Sequence, residues 1–216
     1  SFRGARDLSK HGISTIGIPG TIDNDIGCTE YCIGFDTALN TAMDAIDKIR
    51  DTATSHERSS VIEVMGRNAG YIALNVGISC GAEAVIIPEK EFNFDEDVLR
   101  PIIEGKHRGK NHYLVILAEG VGSAIPMAQE IQKRTGIETT ATVLGHIQRG
   151  GSPTVQDRVN ASAMGFKAVE LLLAGKTNRL VVIQNGKVTD VDIDEGLQEK
   201  KEMDPEMVKL CKVLSW

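Results

Sequence analysis

The sequence predicts an α/β fold: parallel sheets in αβα layers, with helices on both faces. Three observations carry this reading. Apolar runs of strand length alternate with stretches at helical period. Several runs, such as residues 113–118, are apolar throughout instead of alternating, as strands buried on both faces are. Polar, glycine-bearing clusters follow the ends of four of these runs, where open α/β sheets bind ligands.

Residues 1–11 read as a helix that Ser1 could cap, with Ala5 and Leu8 on one face. Residues 13–18 read as a strand closed by Pro19-Gly20. Leu39, Met43, Ile46 and Ile49 recur at helical spacing, so residues 37–50 form an amphipathic helix and the polar stretch 51–58 a loop. A strand over 61–65 runs straight into Gly66-Arg67-Asn68-Ala69-Gly70, and a helix covers 71–80. A short strand over 84–87 is stopped by Pro88. A helix over 95–106 has an acidic first turn, which suits its dipole. Strand 113–118 ends in Glu119-Gly120, and helix 126–135 is stopped by Gly136. Strand 141–144 opens into residues 145–151. Ser152-Pro153 then has the form of an N-cap and a first-turn proline, starting a helix that runs to about Leu173. A late strand over 180–183, a hairpin turn at Asn185-Gly186 and a helix over 205–214 complete the chain. There is no repeat and no low-complexity linker, so any domain boundary is a crossing of the chain.

The 216 residues suffice for one large α/β domain or two smaller ones. A net charge of −6 gives no support to a nucleic-acid or anionic-membrane partner. An anionic ligand would therefore need local Arg, Lys and backbone N–H groups. Cys28, Cys32, Cys80 and Cys211 form no C-x-x-C pair and have no histidine at zinc-finger spacing, so free thiols in a reducing compartment are expected. No signal peptide and no apolar run of membrane length is present, so a cytoplasmic protein is expected.

Thr21-Ile22-Asp23-Asn24-Asp25 is the most informative cluster. Taken alone, Asp-Asn-Asp is most often a turn. Its companions change the weighing: Gly66-Arg67, Glu119-Gly120 and His146 to Gly151 also follow strand ends. Arg67 and Arg149 can fork onto phosphate oxygens. Gly66, Gly150 and Gly151 let backbone N–H groups approach an anion, and two clusters precede helix N-termini. His146 can donate to a phosphate or hydroxyl, and Glu119 can accept from sugar hydroxyls. Asp23 can take a proton from a hydroxyl nucleophile, and Asp25 can orient a metal or water. Phosphoryl transfer to a phosphorylated sugar fits this set, although no Walker A pattern and no G-x-G-x-x-G is present.

Pro19 to Asp25 (PGTIDND), Met65-Gly66-Arg67 and the run from Leu144 to Pro153 (LGHIQRGGSP) together resemble 6-phosphofructokinases of the bacterial, ATP-dependent, allosterically regulated type. The resemblance implies two Rossmann-like lobes with the chain crossing between them. Residues 1–34 and 148–200 would belong to the larger ATP-side lobe, and 35–147 and 201–216 to the smaller fructose 6-phosphate-side lobe. It implies ATP and fructose 6-phosphate as substrates and Mg2+ as cofactor. Asp23 would be the base on the sugar 1-hydroxyl, Asp25 would help hold the metal, and Arg67 would stabilise the transferred phosphoryl group. Thr21, Ile22, Met65, Gly66 and Glu119 would contact the sugar phosphate. His146, Ile147, Gln148 and Arg149 would help clamp its phosphate, and Ser1 would end the nucleotide loop. The family is a homotetramer, in which Arg58 would reach a neighbouring subunit's substrate. A nucleotide diphosphate or phosphoenolpyruvate-type effector would meet Arg50, Arg108, Lys110, Asn111 and His112. Gly81, Ala82 and Glu83 would lie at the effector's metal.

In the family pattern, the glycine-rich ATP phosphate loop and a magnesium-holding aspartate precede the residue matching Ser1. The 216 residues alone are thus expected to expose apolar sheet surface and not to phosphorylate fructose 6-phosphate. The pyrophosphate-dependent branch usually has a lysine where Gly20 stands, so Gly20 favours ATP. A non-catalytic sugar-phosphate sensor would need no base, so Asp23 argues against it. One position departs from the pattern: Thr140 stands where an arginine usually helps bind the sugar phosphate. Losing one charge-assisted hydrogen bond costs about 1.5–3 kcal/mol. Replacing Thr140 with Arg is expected to lower the half-saturation concentration for fructose 6-phosphate in steady-state kinetics; an unchanged value would count against this role.

Overall fold

The structure, a computed structural model, describes residues 1–53 and 58–214. In chain order the helices are α1 (Phe2–Lys10), α2 (Phe35–Ala53), α3 (Tyr71–Cys80), α4 (Arg100–His107), α5 (Ala124–Thr135), α6 (Val155–Leu173), α7 (Ile193–Gly196) and α8 (Pro205–Leu214). The strands are β1 (Ile16–Gly17), β2 (Arg58–Val64), β3 (Ala84–Ile86), β4 (His112–Ala118), β5 (Glu138–Val143), β6 (Arg179–Gln184) and β7 (Lys187–Asp192). The chain divides into two compact units: residues 1–37 with 152–202, and residues 38–151 with 203–216.

The first unit holds a three-stranded sheet in the order β1-β6-β7. β1 lies parallel to β6, and β7 returns antiparallel through Asn185 and Gly186, both at positive φ (52° and 69°) as a type I′ hairpin turn requires. β6 alternates strictly. Val181 and Ile183 pack on Met164, Ala168 and Leu171 of α6, while Leu180 and Val182 pack on Cys28 and Ile193. β1 keeps only two of the six residues expected of it, because Ile13 and Ile18 are exposed and give no packing reason to extend the ladder. Ser1 sits at the N-cap of α1 but makes no side-chain cap bond. The cap of α6 is Thr154, whose hydroxyl accepts from the Asp157 N–H (3.2 Å), not Ser152. The apolar surface left exposed lies mostly on α6, at Val155, Val159, Phe166, Val169 and Leu173.

The second unit is a four-stranded, wholly parallel sheet in the order β3-β4-β2-β5. β4 is central, and residues 113–118 are all buried. On one face Tyr113, Val115 and Leu117 meet Val98, Ile102 and Ile131; on the other, Leu114 and Ile116 are equally enclosed. α3 carries a glycine at mid-helix, which costs about 1 kcal/mol against Ala. It stands there because a Cβ on Gly77 would lie 2.1 Å from Val85 Cγ2 of β3. The acidic stretch expected to open an α-helix at residue 95 instead forms a π-helical turn, Phe94–Leu99, capped by Asn93, before α4 begins. The expected loop over 51–58 is partly regular: Asp51 to Ala53 end α2 and Arg58 begins β2, while residues 54–57 lie outside the described residues.

Asp157, two residues into α6, organises the polar part of the first unit. One carboxylate oxygen accepts from Tyr31 Oη (2.6 Å) and Gly34 N (2.7 Å). The other accepts from Thr37 N (2.9 Å) and from the Thr37 hydroxyl. Burial by itself would raise its pKa, but the bonds from Thr37, Tyr31 and Gly34 outweigh it and hold the carboxyl below its ordinary value. The same contact, after burial, pushes the Tyr31 hydroxyl well up. A carboxylate with a depressed folded-state pKa contributes stability above its unfolded value, about 3.9, and loses it as pH falls through the folded value. Asp157→Asn is therefore expected to lower the melting temperature near neutrality, with a deficit of about 2–4 kcal/mol that shrinks as pH drops below about 4. Thermal unfolding across pH checks this; a deficit independent of pH would contradict it.

Candidate functional site

The chemistry-bearing clusters all follow carboxyl ends of strands. β1 leads through Ile18, Pro19 and Gly20 into Thr21–Asp25. Thr21 Oγ1 accepts from Asp23 N (3.2 Å), and Asn24 adopts a left-handed backbone (φ 51°) and donates from Nδ2 to Glu30 O (3.3 Å). Asp23 and Asn24 are buried, 4% and 5% exposed, while Asp25 faces solvent. The turn thus separates the two carboxylates by environment. Asp23 is enclosed by protein, whereas Asp25 stands at the surface. Among the described residues, no three His, Cys, Asp or Glu side chains converge on a metal site.

In the second unit three strand ends meet. β2 stops at Val64, and the next three backbone N–H groups are taken up by side chains. Met65 N donates to Gln148 Oε1 (2.8 Å), and Gly66 N and Arg67 N both donate to Glu119 Oε1 (3.2 and 2.7 Å). Glu119 is placed by its own N–H, which donates to Val64 O (2.9 Å) beyond the end of β4. Gln148 is placed by the 3₁₀ turn Gly145–Arg149 that follows β5. Gly66 has φ 147° and a Cβ there would lie 2.4 Å from Ala69 O, so only glycine fits. Arg67 has φ 56°, a left-handed conformation rare for a residue with a side chain. Gly120 lies close below it, since a Cβ would lie 2.4 Å from Arg67 O. His146, Ile147 and Arg149 are exposed on the 3₁₀ turn, whereas Gln148 is enclosed.

Other expected site residues lie elsewhere. Arg58 begins β2, and its Nε donates to Glu138 Oε2 (3.1 Å), directly across in the β5 register. Thr140 stands opposite Ser60, hydroxyl to hydroxyl at 3.2 Å. Both are therefore away from the strand ends that carry Arg67 and Glu119. The expected effector residues gather at the opposite, amino-terminal edge of the sheet. Arg50 donates to Cys80 O. Gly81 caps α3 in a left-handed conformation, and Ala82 is buried beside it. Glu83 accepts from Lys110 Nζ (3.0 Å) and Leu114 N (2.6 Å). Arg108 and Asn111 are exposed, and His112 begins β4. A cavity of about 280 Å³ opens beside Glu83 and Arg108, walled by Val208 and Cys211 of α8. Burial raises the Cys211 thiol to about 11.

The sequence profile of the family described as Phosphofructokinase matches residues 1–172. The ATP-dependent 6-phosphofructokinase of Clostridium botulinum is 59% identical over 215 residues, covering 100% of this chain and 67% of that protein. The chain belongs to the phosphofructokinase family. The ATP-dependent 6-phosphofructokinase of Clostridium novyi is 58% identical over 216 residues, again with 67% of its length covered, so the chain spans about two thirds of these relatives. The family's enzyme class, a phosphotransferase, and its ATP-dependent branch come with that membership. The phosphofructokinase of Saccharomyces cerevisiae superposes with TM-score 0.81 at 33% identity, over 86% of this chain and 26% of that one. A pyrophosphate-dependent phosphofructokinase from Marinobacter aquaeolei, at TM-score 0.79 and 24% identity over 99% of this chain and 63% of that one, shares the fold.

The close approach at Gly120 gives a direct test of the turn geometry. A methyl group there must displace the Arg67 carbonyl. Gly120→Ala is expected to reduce phosphorylation kcat by about 10- to 100-fold, since misplacement of about 1 Å suffices for such losses. Steady-state kinetics checks this; an unaltered kcat would show that the turn tolerates displacement.

Proposed function

We propose that the natural polypeptide carrying these residues transfers the γ-phosphoryl group of ATP to the 1-hydroxyl of fructose 6-phosphate. The observation that supports this best is the division of labour at the strand ends. A buried carboxylate, Asp23, stands on one turn, and an arginine in a fixed backbone conformation, Arg67, stands on another. Asp23 takes the proton of the 1-hydroxyl as its oxygen attacks the γ-phosphorus, a contribution of about 10²–10⁴-fold. Arg67 stabilises the charge on the phosphoryl group in flight, where positioning and electrostatics supply most of the acceleration. Thr21, Ile22, Met65 and Gly66 border the sugar. Glu119 spends one oxygen on backbone N–H groups and offers the other to a hydroxyl. His146, Ile147 and Arg149 present the 6-phosphate clamp. Mg2+, held through Asp25 and the nucleotide phosphates, would neutralise phosphate charge. Ser1 borders the nucleotide.

The surface at the amino-terminal strand edge supports an effector site for a phosphorylated ligand. Arg50, Arg108, Lys110 and His112 gather there beside Glu83. A homotetramer, with Arg58 serving a neighbouring subunit, and a cytoplasmic location complete the reading. Among the described residues no helix is long and apolar enough to cross a membrane.

Replacing Asp23 with Ser tests the assignment. Turnover is expected to fall by about 10²–10⁴-fold, while binding of fructose 6-phosphate, measured by calorimetry, persists. Turnover close to wild type would remove Asp23 as the base, and loss of binding with turnover would make it a substrate ligand instead.

A further inference from the structure

We propose that Gln148 is a positioning residue for phosphoryl transfer, acting through the Met65 amide to hold Arg67 in its left-handed backbone conformation. The inference rests on the reading of Arg67 as the group that stabilises the transferred phosphoryl.

Gln148 is 1% exposed, so its amide is enclosed by protein and does not face a ligand in solvent, unlike its neighbours His146, Ile147 and Arg149. Its Oε1 accepts from Met65 N at 2.8 Å. Its Nε2 is buried with no hydrogen-bond partner among the described residues. Burying an unpaired amide donor is costly. A glutamine held at that cost is held for its oxygen, and the oxygen has one partner.

That partner begins a run of three consecutive N–H groups beyond the last rung of β2. The next two end on Glu119 Oε1. Arg67, the third, has φ 56°, a conformation that disfavours side chains. A strained residue keeps its geometry only when the surroundings over-determine it. Here Glu119 fixes two of the three amides, and Gln148 fixes the one that joins the turn to the strand. Without the Gln148 oxygen, Met65 N would be buried and unsatisfied, and the turn could relax away from the strand end.

The test is a double-mutant cycle in the natural polypeptide, reading kcat and the two KM values with thermal unfolding in parallel. Gln148→Leu is expected to lower kcat by about 10- to 100-fold with little change in the KM for ATP. Gln148→Glu, which keeps an acceptor oxygen, is expected to recover most of the loss. In an Arg67→Ala background, Gln148→Leu is expected to lower kcat no further, because the residue through which it acts is gone. An equal further loss in that background would overturn the inference, as would a Gln148→Leu enzyme that is less stable but retains its kcat. Arg67→Ala with unchanged kcat would overturn both the inference and the reading beneath it. If Gln148→Leu is recovered unfolded, Gln148→Asn, whose amide is drawn back by one methylene, enters the same cycle with the same expected and contrary results.

Discussion

Past the last rung of a parallel strand, backbone N–H groups lose their ladder partners. The end of β2 shows how this chain answers that constraint. Three successive amides are handed to two side chains from the ends of neighbouring strands, Gln148 after β5 and Glu119 after β4. The bonds knit three strand ends into one surface, and the two glycines beside them permit the close approach. Arg67 is the side chain that this arrangement presents. Its unfavourable backbone angle is balanced by the hydrogen bonds that the turn's amides make to Glu119 and Gln148, so the site's geometry and its stability have the same origin.

The first unit meets a similar constraint by other means. Segment 31–37 runs from the stretch after the Thr21–Asp25 turn into the first turn of α2. It has few ladder bonds, and Asp157 supplies acceptors to Tyr31, Gly34 and Thr37. A buried carboxylate with four donors is a rigid anchor, because removing it leaves several groups unsatisfied at once. Within each unit, then, a single acidic side chain organises a stretch of irregular backbone next to the residues assigned to chemistry: Asp157 in one, Glu119 in the other.

The sequence disclosed most of this fold because its strands are continuous apolar runs and its helices keep a clear period. α3 and α8 fall on the residues expected of them, and the hairpin at Asn185-Gly186 follows from turn chemistry alone. Element ends were less legible. β1 is short because its flanking isoleucines are exposed, and the 94–99 turn winds as a π-helix that periodicity cannot distinguish from α. Ser152-Pro153 carried the signature of a helix start, yet Thr154 makes the cap bond. In the candidate site, the clusters at strand ends were visible because glycine, arginine and carboxylate recur there. What they do for one another was not. That Glu119 and Gln148 turn toward main-chain amides depends on strand register, which brings residues more than fifty apart in sequence together. Asp157 gave no signal beyond an acid in a first helical turn.

In the second unit the strand ends carry Arg67 and Glu119, and the opposite edge of the same sheet carries Glu83, Arg108 and a cavity of about 280 Å³. The same parallel sheet links the two edges, since β2 and β4 run from one to the other. The most direct measurement is the donor dependence of fructose 1,6-bisphosphate formation by the natural polypeptide, with ATP and pyrophosphate supplied separately in the presence of Mg2+. Turnover with ATP and none with pyrophosphate is the expected result. Turnover with pyrophosphate in place of ATP, or with neither donor, would contradict the assignment of these strand ends to ATP-dependent phosphorylation of fructose 6-phosphate.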